Sequence, residues 1–128
     1  MRYLLDTNVF LWAAQSPERL SGRVRAVLED SETEAFVSHA SVWEIAIKVS
    51  RGRLKLAGAL ADFLPRVMAS HRLDGLPIEL RHILAVADLP WLHRDPFDRL
   101  LVSQAQIEQM AILSADRAIA QYDVQVVW

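Results

Sequence analysis

The sequence has no cysteine, no long apolar run and no marked excess of charge of either sign. Without cysteine neither a disulfide framework nor a thiolate metal site can form. A chain of 128 residues, 52% of them hydrophobic, must then hold together by core packing, and residues 1–128 suffice for one compact domain. The missing disulfides fit a reducing compartment, so a cytoplasmic location is expected. Tyr3-Leu4-Leu5 is broken at once by Asp6 and Asn8, too early for a signal peptide or a membrane span. The formal net charge of -2 rules out a global basic field, and any binding of nucleic acid has to use a local patch. His39, His71, His82 and His93 show no metal-ligand spacing and read as surface or hydrogen-bonded residues. No internal repeat, low-complexity tract or linker is present.

What is there alternates between strand and helix. Tyr3–Leu5 reads as a buried strand, Asp6-Thr7-Asn8 as a capped turn, and Val9–Ala14 as a buried helix. Ser16-Pro17-Glu18 marks a turn or helix start, and Ser21-Gly22 opens a helix through Asp30 with Val24, Val27 and Leu28 inward. Ala35–Ser38 is a second strand, with Ser38 or Ser41 capping the helix that runs to about Ser50. Leu60–Met68 has helical spacing around Pro65, which must kink the helix or mark its start. A brief third strand is placed at Leu76–Ile78, then a helix over about 80–87 with Leu80, Ile83, Leu84 and Ala87 inward. A helix from Asp95 to about Gln109, a strand at Ala111–Ser114, a short helix at Arg117–Tyr122 and an edge strand at Val124–Val127 complete a parallel α/β sandwich.

The helix after the second strand carries two apolar stripes. Val42, Ile45, Ala46 and Val49 face the sheet, whereas Trp43 and Ile47 form a stripe that one sheet cannot also cover, which implies a partner. Glu44 and Lys48 fit an ordinary i,i+4 pair worth about 0.2–0.5 kcal/mol. Lys48, Arg51, Arg53 and Lys55 cluster around Gly52 with no acid between Ile45 and Ala61, as suits either a solvated turn or an edge that contacts phosphate.

Acids stand at the corresponding ends of these elements. Asp6 and Asp116 follow two strands, while Glu44 and Asp98 lie near the starts of two helices. Asp95 with Pro96 fits a helix cap followed by proline at the first helical position, and Asp98 also complements the helix dipole. In an open parallel sheet, however, all four acids can meet above one edge. Two carboxylates about 4 Å apart repel by roughly 4 kcal/mol at an effective dielectric near 20, so four together need a cation. Oxygen ligands without cysteine or ordered histidines favour Mg²⁺ or Mn²⁺ over zinc.

Four segments carry a family resemblance: Asp6-Thr7-Asn8, Ser41-Val42-Trp43-Glu44-Ile45-Ala46-Ile47-Lys48, Asp95-Pro96-Phe97-Asp98-Arg99-Leu100-Leu101 and Ser114-Ala115-Asp116. In order and spacing they resemble the motifs of PIN-domain ribonucleases, and more narrowly the VapC toxins of toxin–antitoxin pairs, over essentially the whole chain. The resemblance implies a PIN-like three-layer α/β/α sandwich with a central parallel sheet of about five strands. It also implies a Mg²⁺-dependent endoribonuclease (Mn²⁺ being an alternative ion), a homodimer and a VapB-like antitoxin partner. Asp6, Glu44, Asp98 and Asp116 match the acidic quartet. Asp6, Asp98 and Asp116 would hold metal, with Glu44 assisting or activating water. Thr7 and Ser114 match positions that orient acids. Lys48, Arg51, Arg53 and Arg99 are the expected RNA contacts.

Two other readings are open to these residues. An aspartate-dependent phosphatase or phosphoacceptor also places an acid after its first strand, but the phosphatase pattern wants a second Asp where this chain has Asn8. A non-catalytic interaction module would use Trp12, Trp43, Ile47 and Trp91 as anchors and bind no metal.

Overall fold

A computed structural model describes residues 1–128. The elements are β1 (Arg2–Leu5), α1 (Thr7–Gln15), α2 (Gly22–Glu29), β2 (Glu34–Ser38), α3 (His39–Ser50), α4 (Leu60–Ser70), β3 (Leu73–Leu76), α5 (Leu80–Val86), α6 (Pro96–Glu108), β4 (Ala111–Leu113) and β5 (Val126–Val127), with single 3₁₀ turns at Pro17–Arg19 and Ile119–Gln121. All five strands are parallel, in the order β3-β2-β1-β4-β5.

Strand alternation divides the apolar residues between two faces. Leu5 packs with Val9, Phe10, Val37, Ile45, Phe63, Val67 and Leu113 on one side. Leu4 packs with Ala40, Leu101, Val102, Ala105, Ile112 and Ile119 on the other. Helices therefore cover both faces, giving the three-layer α/β/α sandwich expected from the sequence. The chain runs outward from β1 through β2 to β3, then returns to the far side of β1 as β4. That reversal places the topological switch point between β1 and β4, where ligands of open parallel sheets bind.

Three expectations need correcting. The third strand is Leu73–Leu76 and not Leu76–Ile78, because Pro77 has no N–H to continue the ladder beyond the Leu76 pairing with Ser38. Of the two alternatives for Pro65, a helix beginning there is excluded, and the proline sits inside α4. This helix runs from Leu60 to Ser70, with Phe63 and Val67 buried on either side of the proline to offset the lost backbone bond.

The second correction concerns α5, which is rotated opposite to expectation. Leu80, Ile83 and Leu84 are exposed, at 68%, 51% and 63%, while His82 is completely buried. The imidazole is satisfied there. Its Nδ1 accepts the Glu79 N–H at 3.0 Å and its Nε2 lies 3.0 Å from a Glu108 carboxylate oxygen. The Ser103 hydroxyl donates to the His82 carbonyl at 2.5 Å. These bonds to α6 set the rotation of α5 and turn its apolar stripe outward. Trp43 is exposed as well, so two unpartnered apolar stripes lie on this side of the molecule.

Arg99 is the remaining correction. Expected to reach RNA, it is 4% exposed and points inward. Its guanidinium donates to the carbonyls of Pro90 (2.8 Å), Val86 (3.2 Å) and Leu89 (3.4 Å) and to the Tyr122 hydroxyl (3.1 Å). Tyr122 Oη in turn accepts the N–H groups of Leu92 and His93, at 3.2 and 3.0 Å. One rigid fork thus satisfies the backbone of a loop that has no ladder of its own. Replacing Arg99 by Met should destabilise the protein by about 1–3 kcal/mol, because the buried Leu89 carbonyl loses its donor and the Val86 and Pro90 carbonyls and Tyr122 Oη each lose one of theirs. Chemical denaturation gives the loss, and hydrogen exchange should show faster opening concentrated in residues 86–93.

Candidate functional site

The register of β1 on β4 builds the site. Leu5 pairs with Leu113, so the next residues, Asp6 and Ser114, emerge side by side at the switch point. Asp6 caps α1 through the Val9 N–H at 2.7 Å, and the Ser114 hydroxyl donates to its other oxygen. Ser114 Oγ also accepts the Asp116 N–H at 3.0 Å. A single hydroxyl therefore ties the first acid to the loop that carries the last.

Glu44 enters from α3. It is 8% exposed, accepts the Thr7 hydroxyl at 2.7 Å and pairs with Lys48 at 3.2 Å. Asp98 comes from the first turn of α6, behind the Asp95 cap. Asp95 Oδ1 accepts the N–H groups of Phe97 and Asp98 at 2.8 and 3.3 Å, which leaves the Asp98 side chain to face the cluster. Thr7 and Ser114 each contact one of the acids they were expected to orient, and Asp95 is a cap as its sequence context indicated.

His93, read from the sequence only as surface or hydrogen-bonded, stands between two of the acids. Its Nε2 lies 2.8 Å from Asp116 Oδ2 and 3.1 Å from Asp98 Oδ2, and one atom from each of the three residues falls within 4.8 Å of the others. Nδ1 accepts the Asp95 N–H at 3.0 Å. The neutral ring must then carry its proton on Nε2, facing the carboxylates as a donor and not as a metal ligand.

The electrostatics of the cluster differ from acid to acid. Burial pushes the Asp6 carboxyl up to about 6 against the pull of Ser114 and Val9, with the charges of Asp116 and Glu44 adding to the rise. Burial and then the Asp95 charge push Asp98 up to about 7, His93 opposing and Glu44 and Asp6 reinforcing the rise. Asp116 is held below the usual carboxylate range. Its partial burial acts upward but is outweighed by the His93 hydrogen bond and the Ala118 N–H. For His93, desolvation acts downward and is outweighed by Asp116 and Asp98, so its proton affinity is raised. The four expected acids are thus brought into one electrostatic unit, two of them short of cationic compensation. A divalent cation fits this donor set, which is rich in carboxylate oxygen and contains two acids that ionise reluctantly without a positive partner.

Beside the acids a groove of about 530 Å³ is lined by Glu44, His93, Lys48, Arg51, Arg53 and Arg94, among others. The sequence reading placed Lys48, Arg51 and Arg53 near phosphate but missed Arg94. Arg99, by contrast, lies beneath this surface in the structural role described above.

The PIN domain sequence pattern matches residues 3–125. This chain belongs to the PIN domain family. Similar folds among solved structures include VapBC2 from Rickettsia felis bound to a DNA fragment from its promoter (TM-score 0.77, 17% identity, covering 99% of this chain and 98% of that one). DNA-bound VapBC from Salmonella typhimurium is also similar (TM-score 0.70, 12% identity, 99% and 97%), as is FitAcB from Neisseria gonorrhoeae (TM-score 0.58, 20% identity, 98% and 96%). No curated protein matches the chain in sequence. No helix of this PIN domain is long and apolar enough to cross a membrane.

The raised acids give this PIN domain a pH signature. Asp98 holds its proton more tightly when folded than the usual value of 3.8 allows, so its ionisation costs stability as pH rises through about 7. In chelator at pH 8, Asp98→Asn should be more stable than the parent by about 1–2 kcal/mol, or roughly 3–10 °C in melting temperature, the gap narrowing towards pH 4. Calorimetric melts across pH check this. Any divalent cation has to displace the protons on Asp6 and Asp98. Its affinity, measured by isothermal titration, should therefore fall at least about tenfold per pH unit between 7 and 6, with proton release that scales with buffer ionisation enthalpy.

Proposed function

We propose that the chain is the toxin of a toxin–antitoxin pair and hydrolyses phosphodiester bonds in RNA with the help of Mg²⁺ or Mn²⁺. The observation that carries this reading is the gathering of Asp6, Glu44, Asp98 and Asp116 around the switch point of a PIN fold. Asp6, Asp98 and Asp116 would hold the cation. When bound, it would supply a Lewis acid that eases loss of a proton from the attacking water and steadies charge on the departing oxygen.

The protein groups do the positioning. Ser114 and the Val9 amide fix both oxygens of Asp6, which also leaves that residue poorly placed to act as a phosphoacceptor. Thr7 and Lys48 restrain Glu44, which takes the proton as the attacking water forms its bond to phosphorus and the ester oxygen leaves. Lys48, Arg51 and Arg53 along the groove hold the phosphates on either side.

Partners follow from the surface. The outward stripes of Leu80, Ile83 and Leu84 on α5 and Trp43 on α3 form an apolar area of the kind that marks a protein interface. A second copy of the chain is its proposed occupant. A VapB-like antitoxin is the proposed inhibitor, consistent with the solved toxin–antitoxin complexes that share the fold.

Purified protein should cut labelled total RNA in Mg²⁺ or Mn²⁺, stop in chelator, and lose at least about 10²-fold in rate on Asp98→Asn. Cleavage that persists in chelator, or at the parental rate in Asp98→Asn, contradicts the proposal.

A further inference from the structure

Trp91 is 81% exposed, the largest exposure among the big apolar side chains, yet the segment bearing it is fixed. The Arg99 guanidinium lies 4.0 Å from the indole centroid and is itself buried. On either side of Trp91, the Pro90 carbonyl accepts from Arg99 and from Tyr122 Oη (2.8 and 2.9 Å), and the Leu92 and His93 N–H groups donate to Tyr122 Oη. The ring contributes little to the core, and two buried polar side chains hold it in place. Its exposed face is a rigid aromatic platform two residues from His93 of the acid cluster.

The neighbours of that platform are cationic. A pocket lined by Trp91, Arg94, Arg99, Pro96, Val86 and Ala87 adjoins the ring. Arg94 also lines the groove that holds Glu44, Lys48, Arg51, Arg53 and His93. Its side chain is exposed and makes no hydrogen bond or ion pair within the protein, so its charge is available. Arg94 thus connects the groove beside the acids to the aromatic pocket. A phosphate-binding cation joined to a preorganised aromatic face is the combination that binds single-stranded nucleic acid, one contacting the backbone and the other stacking a base.

From this arrangement we infer that Trp91 and Arg94 form a subsite for one nucleotide flanking the cleaved bond, Trp91 stacking its base and Arg94 contacting its phosphate. The inference rests on the RNA-cleavage reading and assigns to it two residues that the acidic site does not require. The buried Arg99 contributes indirectly, as the support under the ring. Stacking on a bare ring face is tolerant of sequence, so the subsite adds affinity and position more than base identity.

The test is binding in chelator, where no cleavage occurs, of two fluorescein-labelled 12-mers followed by anisotropy: a mixed-sequence single-stranded RNA and an abasic strand of the same length and charge. Wild type should prefer the base-bearing strand. Trp91→Ala should weaken RNA binding about tenfold while leaving the abasic strand unchanged, and Trp91→Phe should restore most of the loss. Arg94→Ala should weaken both strands alike and lower the dependence of binding on log salt concentration by about 0.7. If wild type binds the RNA and Trp91→Ala binds both strands as wild type does, the subsite is overturned while the RNA reading stands. If wild type binds neither strand, the RNA reading fails and the subsite with it. If sedimentation shows that Trp91→Ala dissociates a dimer while RNA binding is unchanged, the face belongs to a second copy and the inference is overturned.

Discussion

The repulsion among carboxylates gathered at one end of a parallel sheet is the constraint that gives this molecule its character. A fold that brings Asp6, Glu44, Asp98 and Asp116 together must supply compensating donors or accept protons. It does both. Ser114, the Val9 amide, Thr7, Lys48 and His93 each neutralise part of the charge, yet Asp6 and Asp98 still hold protons well above the ordinary carboxylate range. Such a site is poised to exchange protons for a cation, and the strain it places on the fold is the counterpart of its capacity to bind one.

The surrounding structure bears that strain through two devices. The first is the pairing of Leu5 with Leu113, which sets Asp6 beside Ser114 and lets one hydroxyl register β1 against the loop after β4. The second is the buried pair of Arg99 and Tyr122, which ties residues 86–93 to α6 and to the 3₁₀ turn near the end of the chain. Because His93 belongs to this fixed loop, its imidazole reaches Asp98 and Asp116 without a separate support. Stability and site geometry therefore share residues, and substitutions at Arg99 or Tyr122 would be felt at the acids.

The sequence disclosed the parts of this arrangement that depend on local chemistry. Asp6 and Asp95 lie where a helix start needs a cap, Leu4 and Leu5 fall where a strand is buried on both faces, and the acids follow strands at the ends where an open sheet binds ligands. The features it concealed depend on tertiary choice. The stripe of Leu80, Ile83 and Leu84 was visible, but periodicity gives a face and not its direction, and the bonds of His82 to Glu108 and Ser103 decided that direction. Arg99 looked like a groove cation because its five donors suit phosphate as well as carbonyls. His93 was passed over because its partners, Asp98 and Asp116, are five and 23 positions away, a spacing that no local ligand pattern contains. Arg94 follows His93 directly, and only the groove geometry separates it from an ordinary solvated arginine.

The central claim is that the acids form one cation site, and its most direct test is a crystal soaked in Mn²⁺ with diffraction recorded at the manganese absorption edge. The account predicts an anomalous peak within coordinating distance of oxygens from Asp6, Asp98 and Asp116, roughly 2.0–2.3 Å, with His93 Nε2 outside the coordination sphere. A cluster with no anomalous density at saturating Mn²⁺ above pH 7, or a peak bound elsewhere on the surface, would contradict it.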